Sequence, residues 1–298
     1  MPTLKGQNLR IFSGSSVIAM STNCVITLTN NTEESKTKDV TGMAAQPTVV
    51  SQGWQVQVDS LKVADVAAML TAVKNLTKFT LMWDETATAD NYTAQGAAFA
   101  RTGQAYLSDF TATFNDRENS AKNLTFTGAS ALAKLQTTPQ TGGGDAQAFT
   151  KGQFVRLFLG SDNTATPAAV IAWSKQLSMH VSMQLEDATT KDTEGNWVIQ
   201  EPVGISYDIT TQALVKGGES ITSTVTGKEL ADLEDIKEAG TPVKWQIANT
   251  SGTNNRTKGS VIVSGSCIVT QLQINAQVGS NATYQASLAG YGNYTVGA

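Results

Sequence analysis

At 298 residues with only 15% charged side chains, against about 25% in an average soluble domain, the chain has room for two hydrophobic cores and a largely neutral, polar surface. A formal charge of -4 and a pI near 5.1 argue against tight nucleic-acid binding, which needs clustered Lys and Arg. No run of about 18 apolar residues occurs, and the opening residues lack the apolar stretch of a secretory signal, which predicts synthesis in the cytoplasm and no membrane span.

In chain order, the first element is the strand opened by Lys5-Gly6-Gln7-Asn8-Leu9-Arg10-Ile11-Phe12. It returns as Lys151-Gly152-Gln153-Phe154-Val155-Arg156-Leu157-Phe158, identical at five of eight positions. Residues 17–42 then align without a gap on residues 170–195, sharing Val-Ile-Ala-x-Ser at the start and Thr-Lys-Asp-x-x-Gly at the end. Repeats of this kind imply one structural unit used twice. Trp54-Gln55-Val56-Gln57-Val58-Asp59 alternates apolar and polar residues, the pattern of a half-buried strand. Behind Asp59 or Ser60 as N-cap, Val63, Val66, Ala67, Leu70 and Val73 recur at helical spacing. The next long strand sets Tyr106, Phe110, Ala112 and Phe114 on one face and Asp109, Thr111 and Thr113 on the other.

Residues 139–147, containing Gly142-Gly143-Gly144, have the composition of a linker. No Gly-Lys-Ser/Thr follows, so a phosphate loop is not expected. The boundary divides the chain into a first β domain at 1–138 and a second at 148–298. In the second, Thr226 and Glu229 have capping-box spacing, Leu230, Leu233 and Ile236 form the helical stripe, and Gly240 with Pro242 ends it. Ile268, Leu272, Ile274 and Ala276 then repeat the apolar strand face, and Gln271, Gln273 and Asn275 the polar one. Gly103, Asn119 and Gly128 recur as Gly265, Asn281 and Gly290. The displacement grows from 146 to 153 to 162 residues along the chain, as longer surface loops in the second copy imply. The expected fold class is mainly β (α+β): two tandem β domains, each with one flanking α-helix.

Little in the sequence points to catalysis. His180 is the only histidine and aligns with Thr27, so no histidine site is common to both halves, and a strand histidine satisfied by its neighbours is expected. The acidic pairs Glu33-Glu34 and Glu186-Asp187 are adjacent in sequence, which on a strand sends them to opposite faces, unlike the facing carboxylates of glycoside hydrolysis. Gly-x-Ser-x-Gly, His-Glu-x-x-His and Cys-x-x-Cys patterns are missing. Cys24 and Cys267 are expected to be buried and free. The reading is of a protein that is not an enzyme, without cofactor or metal. A rival of another class is a tandem β-sandwich adhesin or carbohydrate-binding module, which would offer exposed aromatics such as Trp83 or Trp245.

Glu186-Asp187-Ala188-Thr189-Thr190-Lys191-Asp192-Thr193-Glu194-Gly195-Asn196-Trp197 resembles a segment of the phage major tail protein family, with its Thr-x-Lys-Asp-Ser/Thr-x-Gly pattern. The first half carries a shorter form, Lys36-Thr37-Lys38-Asp39-Val40-Thr41-Gly42, and the opening strand, the mid-domain helix and the closing strands near Gly128 and Gly290 extend the resemblance over both halves. It implies tail-tube-like β-sandwich or barrel domains that assemble into sixfold rings. Their inner sheets would join into one barrel, and the rings would stack into a tail tube that conducts DNA in the virion. Two domains per chain would make each ring a trimer. The implied partners are copies of the chain itself and the tape measure, tail terminator and baseplate proteins, with DNA passing through without specific binding and no membrane. The resemblance also makes residues 30–53 and 183–204 the segments that bridge rings, with Lys38, Asp39, Gly42, Lys191, Asp192, Gly195 and Trp197 in their loops. It assigns Asp109, Thr111, Thr113, Gln271, Gln273 and Asn275 to the lumen or another solvated face. A contractile injection or type VI secretion tube is the nearest variant of this reading.

Overall fold

The computed structural model describes residues 4–14, 16–18, 21–34, 47–62, 65–86, 94–134, 150–193, 195–216, 227–251 and 257–297. The first half contains β1 (Leu9–Ser13), β2 (Ser16–Val17), β3 (Ser21–Glu34), β4 (Pro47–Ser60), α1 (Val66–Lys74), β5 (Phe79–Glu85), β6 (Arg101–Asn115), β7 (Ala121–Gly128) and β8 (Ala133–Lys134). The second contains β9 (Val155–Leu159), β10 (Ala169–Val170), β11 (Ser174–Asp187), β12 (Gln200–Leu214), α2 (Leu230–Ala239), β13 (Val243–Ser251), β14 (Thr257–Asn275) and β15 (Thr283–Val296). The chain is mainly β, as its alternating pattern requires, with two α-helices among the described residues. The expected linker, 139–147, lies outside them.

Both halves wire their strands alike. The first runs β2-β1-β5-β6-β7-β4-β3 and the second β10-β9-β13-β14-β15-β12-β11, every neighbour antiparallel. Even the irregularities coincide. The β3–β4 ladder slips between Asn31 and Thr32, and β11–β12 slips between Gln184 and Leu185, the same place 153 residues on. A β-bulge at Ser108 in β6 returns at Thr270 in β14, and both hydroxyls donate to the partner strand, Ser108 to the Thr125 carbonyl at 3.1 Å and Thr270 to the Ser287 carbonyl at 3.0 Å. A bulge shifts side-chain phase by one residue, so such features are positioned deliberately.

The two halves are not separate sheets. Residues 109–115 of β6 pair with residues 176–182 of β11, which makes the hydrogen bonding continuous through the molecule.

Close packing explains the repeated glycines. Trp54 lies over Gly103 and Gly128: a Cβ on Gly103 would stand 2.7 Å from the Trp54 ring, and one on Gly128 would collide with the indole, whose N–H donates to the Ser130 carbonyl at 2.8 Å. In the second half Tyr207 takes that place, 2.6 Å from a Cβ on Gly290 and 3.0 Å from one on Gly265. Its hydroxyl donates to the Ser266 carbonyl at 2.7 Å.

Each helix covers the apolar side of the sheet. Val66, Leu70 and Val73 of α1, and Leu233 and Ile236 of α2, are buried as their spacing predicts. The caps differ from expectation. Asp59 and Ser60 belong to β4, and Asp65 holds the N-cap position of α1 without a side-chain cap hydrogen bond, because the strand runs on to Ser60 and the helix starts only at Val66. The α2 capping box joins Glu229 to Asp232 rather than Thr226 to Glu229, Thr226 lying outside the described residues, while Gly240 ends the helix with φ at 61°. The α1 cap is also tied to the sheet. The wholly buried Lys122 ammonium of β7 donates to Asp65, and burial lowers its pKa against the opposing pull of that carboxylate.

Gly128→Ala and Gly290→Ala should each destabilise the chain by about 1–3 kcal/mol, the usual cost of overpacking, whereas Gly53→Ala, with nothing within 4 Å of its Cβ position, should cause no such loss. Midpoints of denaturant unfolding for the three variants check this.

Candidate functional site

β14-β15-β12-β11-β6-β7-β4-β3 form an eight-stranded antiparallel run within the sheet. Directly paired residues of adjacent strands share a face, so register identifies its lining. One row reads Gln271, Ser287, Thr210, Ser178, Thr113, and the next Gln273, Gln285, Gln212, Gln176, Asn115. A third runs Asp208, His180, Thr111, Asn123, Asp59, Asn23, and a fourth Ser206, Ser182, Asp109, Thr125, Gln57. All six polar residues singled out in the sequence, Asp109, Thr111, Thr113, Gln271, Gln273 and Asn275, lie on this one face. None of the residues in these rows is Lys or Arg.

The apolar side needs a correction. Ile268 pairs with Ala289 and sits on the polar face, because the Thr270 bulge reverses the phase. Cys267 and Val269 are the buried members instead. The Ser108 bulge likewise puts Tyr106 opposite Thr127, on the polar side, where it remains buried beneath the Lys78 ammonium 5.4 Å from its ring centre. Ile274 and Leu272 keep the apolar face, yet Ile274 is 52% exposed. Burial pushes the Cys267 thiol up to about 12, and both cysteines are free.

At the β6–β11 seam the two faces are bonded differently. On the apolar side Leu177, Met179 and Val181 lie opposite Phe114, Ala112 and Phe110, all six buried. On the polar side His180 stands between two carboxylates, Nε2 at 2.7 Å from Asp109 Oδ2 and Nδ1 at 2.8 Å from Asp208 Oδ1. A carboxylate only accepts, so both contacts are hydrogen bonds only when the imidazole carries both protons. Burial works against that charge, but the bonds and charges of Asp109 and Asp208 outweigh it and raise the pKa above 6.5. The sequence identifies His180 and Asp109 but not Asp208. The available signal was that three positions change together between the halves: His180, Asp208 and Asp109 stand where the other copy has Thr27, Gln55 and Gln271. Farther along the face, Asn123 and Asn23 donate to the two oxygens of Asp59 at 2.5 and 3.3 Å.

The loop residues behave unevenly. Lys38, Asp39 and Gly42 lie outside the described residues. Lys191 and Asp192 are exposed, and Gly195 has φ of 78°. Trp197 folds back onto the first half, where the Gln52 amide donates to the Asn196 carbonyl at 2.6 Å and the Val198 amide to the Gln52 carbonyl at 2.9 Å. Glu186 and Asp187, at the end of β11, are exposed opposite Glu201 and Gln200. Trp83 and Trp245 are 4% and 0% exposed, because both pack in the core beside Trp54 and Tyr207, so neither can stack on a sugar. No helix among the described residues is long and apolar enough to cross a membrane.

A folded-state imidazole pKa raised above its unfolded value stabilises fully below about 6.5 and loses that contribution as pH rises through the raised value. The gap in thermal midpoint between the native chain and His180→Gln should therefore be widest at mildly acidic pH and close on the alkaline side. Melting curves across that range check it, and a gap that widens with pH contradicts the assignment.

No family model matches the sequence, and no curated protein does. Among solved structures the chain is similar to a chain in the tail of an empty gene transfer agent particle refined with C6 symmetry, at 17% identity and a TM-score of 0.35, covering 49% of this chain and 95% of that one. It is similar to a chain of the native gene transfer agent virion at 16% and 0.35, covering 50% and 99%. It is also similar to the SPP1 tail tube protein at 16% and 0.37, covering 49% and 78%.

Proposed function

We propose that the chain is a virion structural protein that builds a tail tube, with two tube modules, 1–138 and 148–298, joined in one polypeptide. The observation that carries this reading is the eight-strand run just described: four rows of polar residues with no Lys or Arg among them on one side, helices over the other, and open at both lateral edges. β3 has β4 as its sole partner, and residues 268–275 of β14 have no partner opposite β15, among the described residues. Open edges are pairing surfaces that a monomer must blunt and a closed ring satisfies. Leu28 on β3 and Ile274 on β14 are 62% and 52% exposed, a poor choice for edges meant to stay in water.

Three chains would close a ring of six modules, and the polar face would line its channel. Gln, Ser, Thr, Asn and a few Asp side chains keep such a channel wet and give phosphates no cationic hold, so DNA slides through. No catalytic group is needed. Exposed Lys191 and Asp192 would reach the adjacent ring. The protein would then act in the tail of a virion after synthesis in the bacterial cytoplasm, with the tape measure, terminator and baseplate proteins at the ends of the tube.

Electron microscopy of the purified chain near neutral pH should show rings with threefold symmetry or stacked tubes. Protein that remains monomeric by sedimentation at high concentration would sink the reading.

A further inference from the structure

One difference between the halves points outward. Where the halves meet, the end of β6 is wedged against the second half's opening turn Gly152–Phe154 and the start of β11, leaving only about 10 Å³ between them. The Asp116 amide donates to the Lys175 carbonyl at 2.8 Å and the Gly152 amide to the Glu118 carbonyl at 2.9 Å. A Cβ on Gly152 would collide with the Asn115 backbone, which is why this position is glycine. In the first half the same six positions, Gly6, Gln7, Leu9, Arg10, Ser21 and Thr22, border an open cavity of about 260 Å³. A Cβ on Gly6 would meet nothing within 4 Å. Gly6 therefore has the glycine but not the neighbour that requires it.

We propose that this socket receives residues 276–280 of a second copy of the chain, with β3 of the first copy adding to the open half of β14 of the second. The inference rests on the tube reading for its occupant, and the internal seam supplies the template. Displaced by 162 residues, the end of β6 becomes the end of β14, where Val278, wholly exposed, stands in place of Asp116. The β6–β11 register carried over sets Thr27 opposite Gln273 and Thr29 opposite Gln271. It also sets Ile26 and Leu28 opposite Ile274 and Leu272, where the internal seam has Met179 and Val181 opposite Ala112 and Phe110. The internal four are at most 2% exposed, so the exposure of Leu28 and Ile274 is that of a seam waiting for its other side.

Two variants and a cross-link test this. Gly6→Leu places its Cβ where nothing stands within 4 Å and extends into the open socket, so it should melt like the native chain yet form at least tenfold less ring or tube in sedimentation and microscopy. Gly152→Leu should lower the melting point of the monomer instead. The double variant Thr27→Cys with Gln273→Cys, treated with a short bismaleimide, should give dimers and trimers on a denaturing gel with a 27–273 link between chains by mass spectrometry; neither single variant should give that link. Native assembly by Gly6→Leu, or tubes in which position 27 links to another segment, overturns the socket while leaving the tube reading intact. A native chain that never assembles overturns both.

Discussion

The molecule depends on the change of partner along β6. On one side residues 101–102 pair with β8 and residues 105–113 with β7, and on the other residues 101–105 pair with β5 and residues 109–115 with β11. The change of partner falls at the Ser108 bulge, where an extra residue increases the local twist and turns the strand from one layer into the next. Without that turn β5 would block the edge that β11 occupies, and the two halves would have no common sheet. The Ser108 hydroxyl bonds both the Thr125 carbonyl at 3.1 Å and the Thr127 hydroxyl at 2.8 Å, holding the bulge in place. Thr270 repeats the device in β14, so the second half carries the same turn, and among the described residues no strand meets residues 268–275 opposite β15.

Much of this was legible in the sequence. The recurrence of Lys5-Gly6-Gln7 at Lys151-Gly152-Gln153 and the constant displacement of Gly103 and Gly128 foretell two halves wired alike, and the alternation of Trp54 to Asp59 foretells a half-buried strand. Those signals are local. What stayed hidden is set by partners distant in the chain. A bulge leaves the composition of a strand untouched, so Ile268 and Tyr106 read as core residues until the ladder shows their phase. That β6 pairs with β11 follows from no pattern in either strand, since any alternating edge offers the same amides and carbonyls. Trp197 was legible as a loop residue, but not its return to Gln52, which depends on the second half lying beside β4.

The way the halves have diverged bears on specificity. The proposed seam between chains would share the geometry of the internal one, so β3 and β11 would compete for β6, just as β6 and β14 would compete for either of them. Discrimination requires that wrong pairs cost something as well as that right pairs gain. The positions that differ at the seam supply that difference. β11 brings His180 between Asp109 and Asp208, whereas β3 in its place would bring Thr27 and Gln55, leaving Asp109 without the imidazole it bonds. The complementary error, β14 against β11, would present Gln271 to His180 and remove one of the two carboxylates that raise its pKa. The neutral set Thr27, Gln55 and Gln271 has no such penalty when paired with itself. In the proposed ring, charged groups placed at the covalently tethered seam, and withheld from the one between chains, would direct each strand to its own partner.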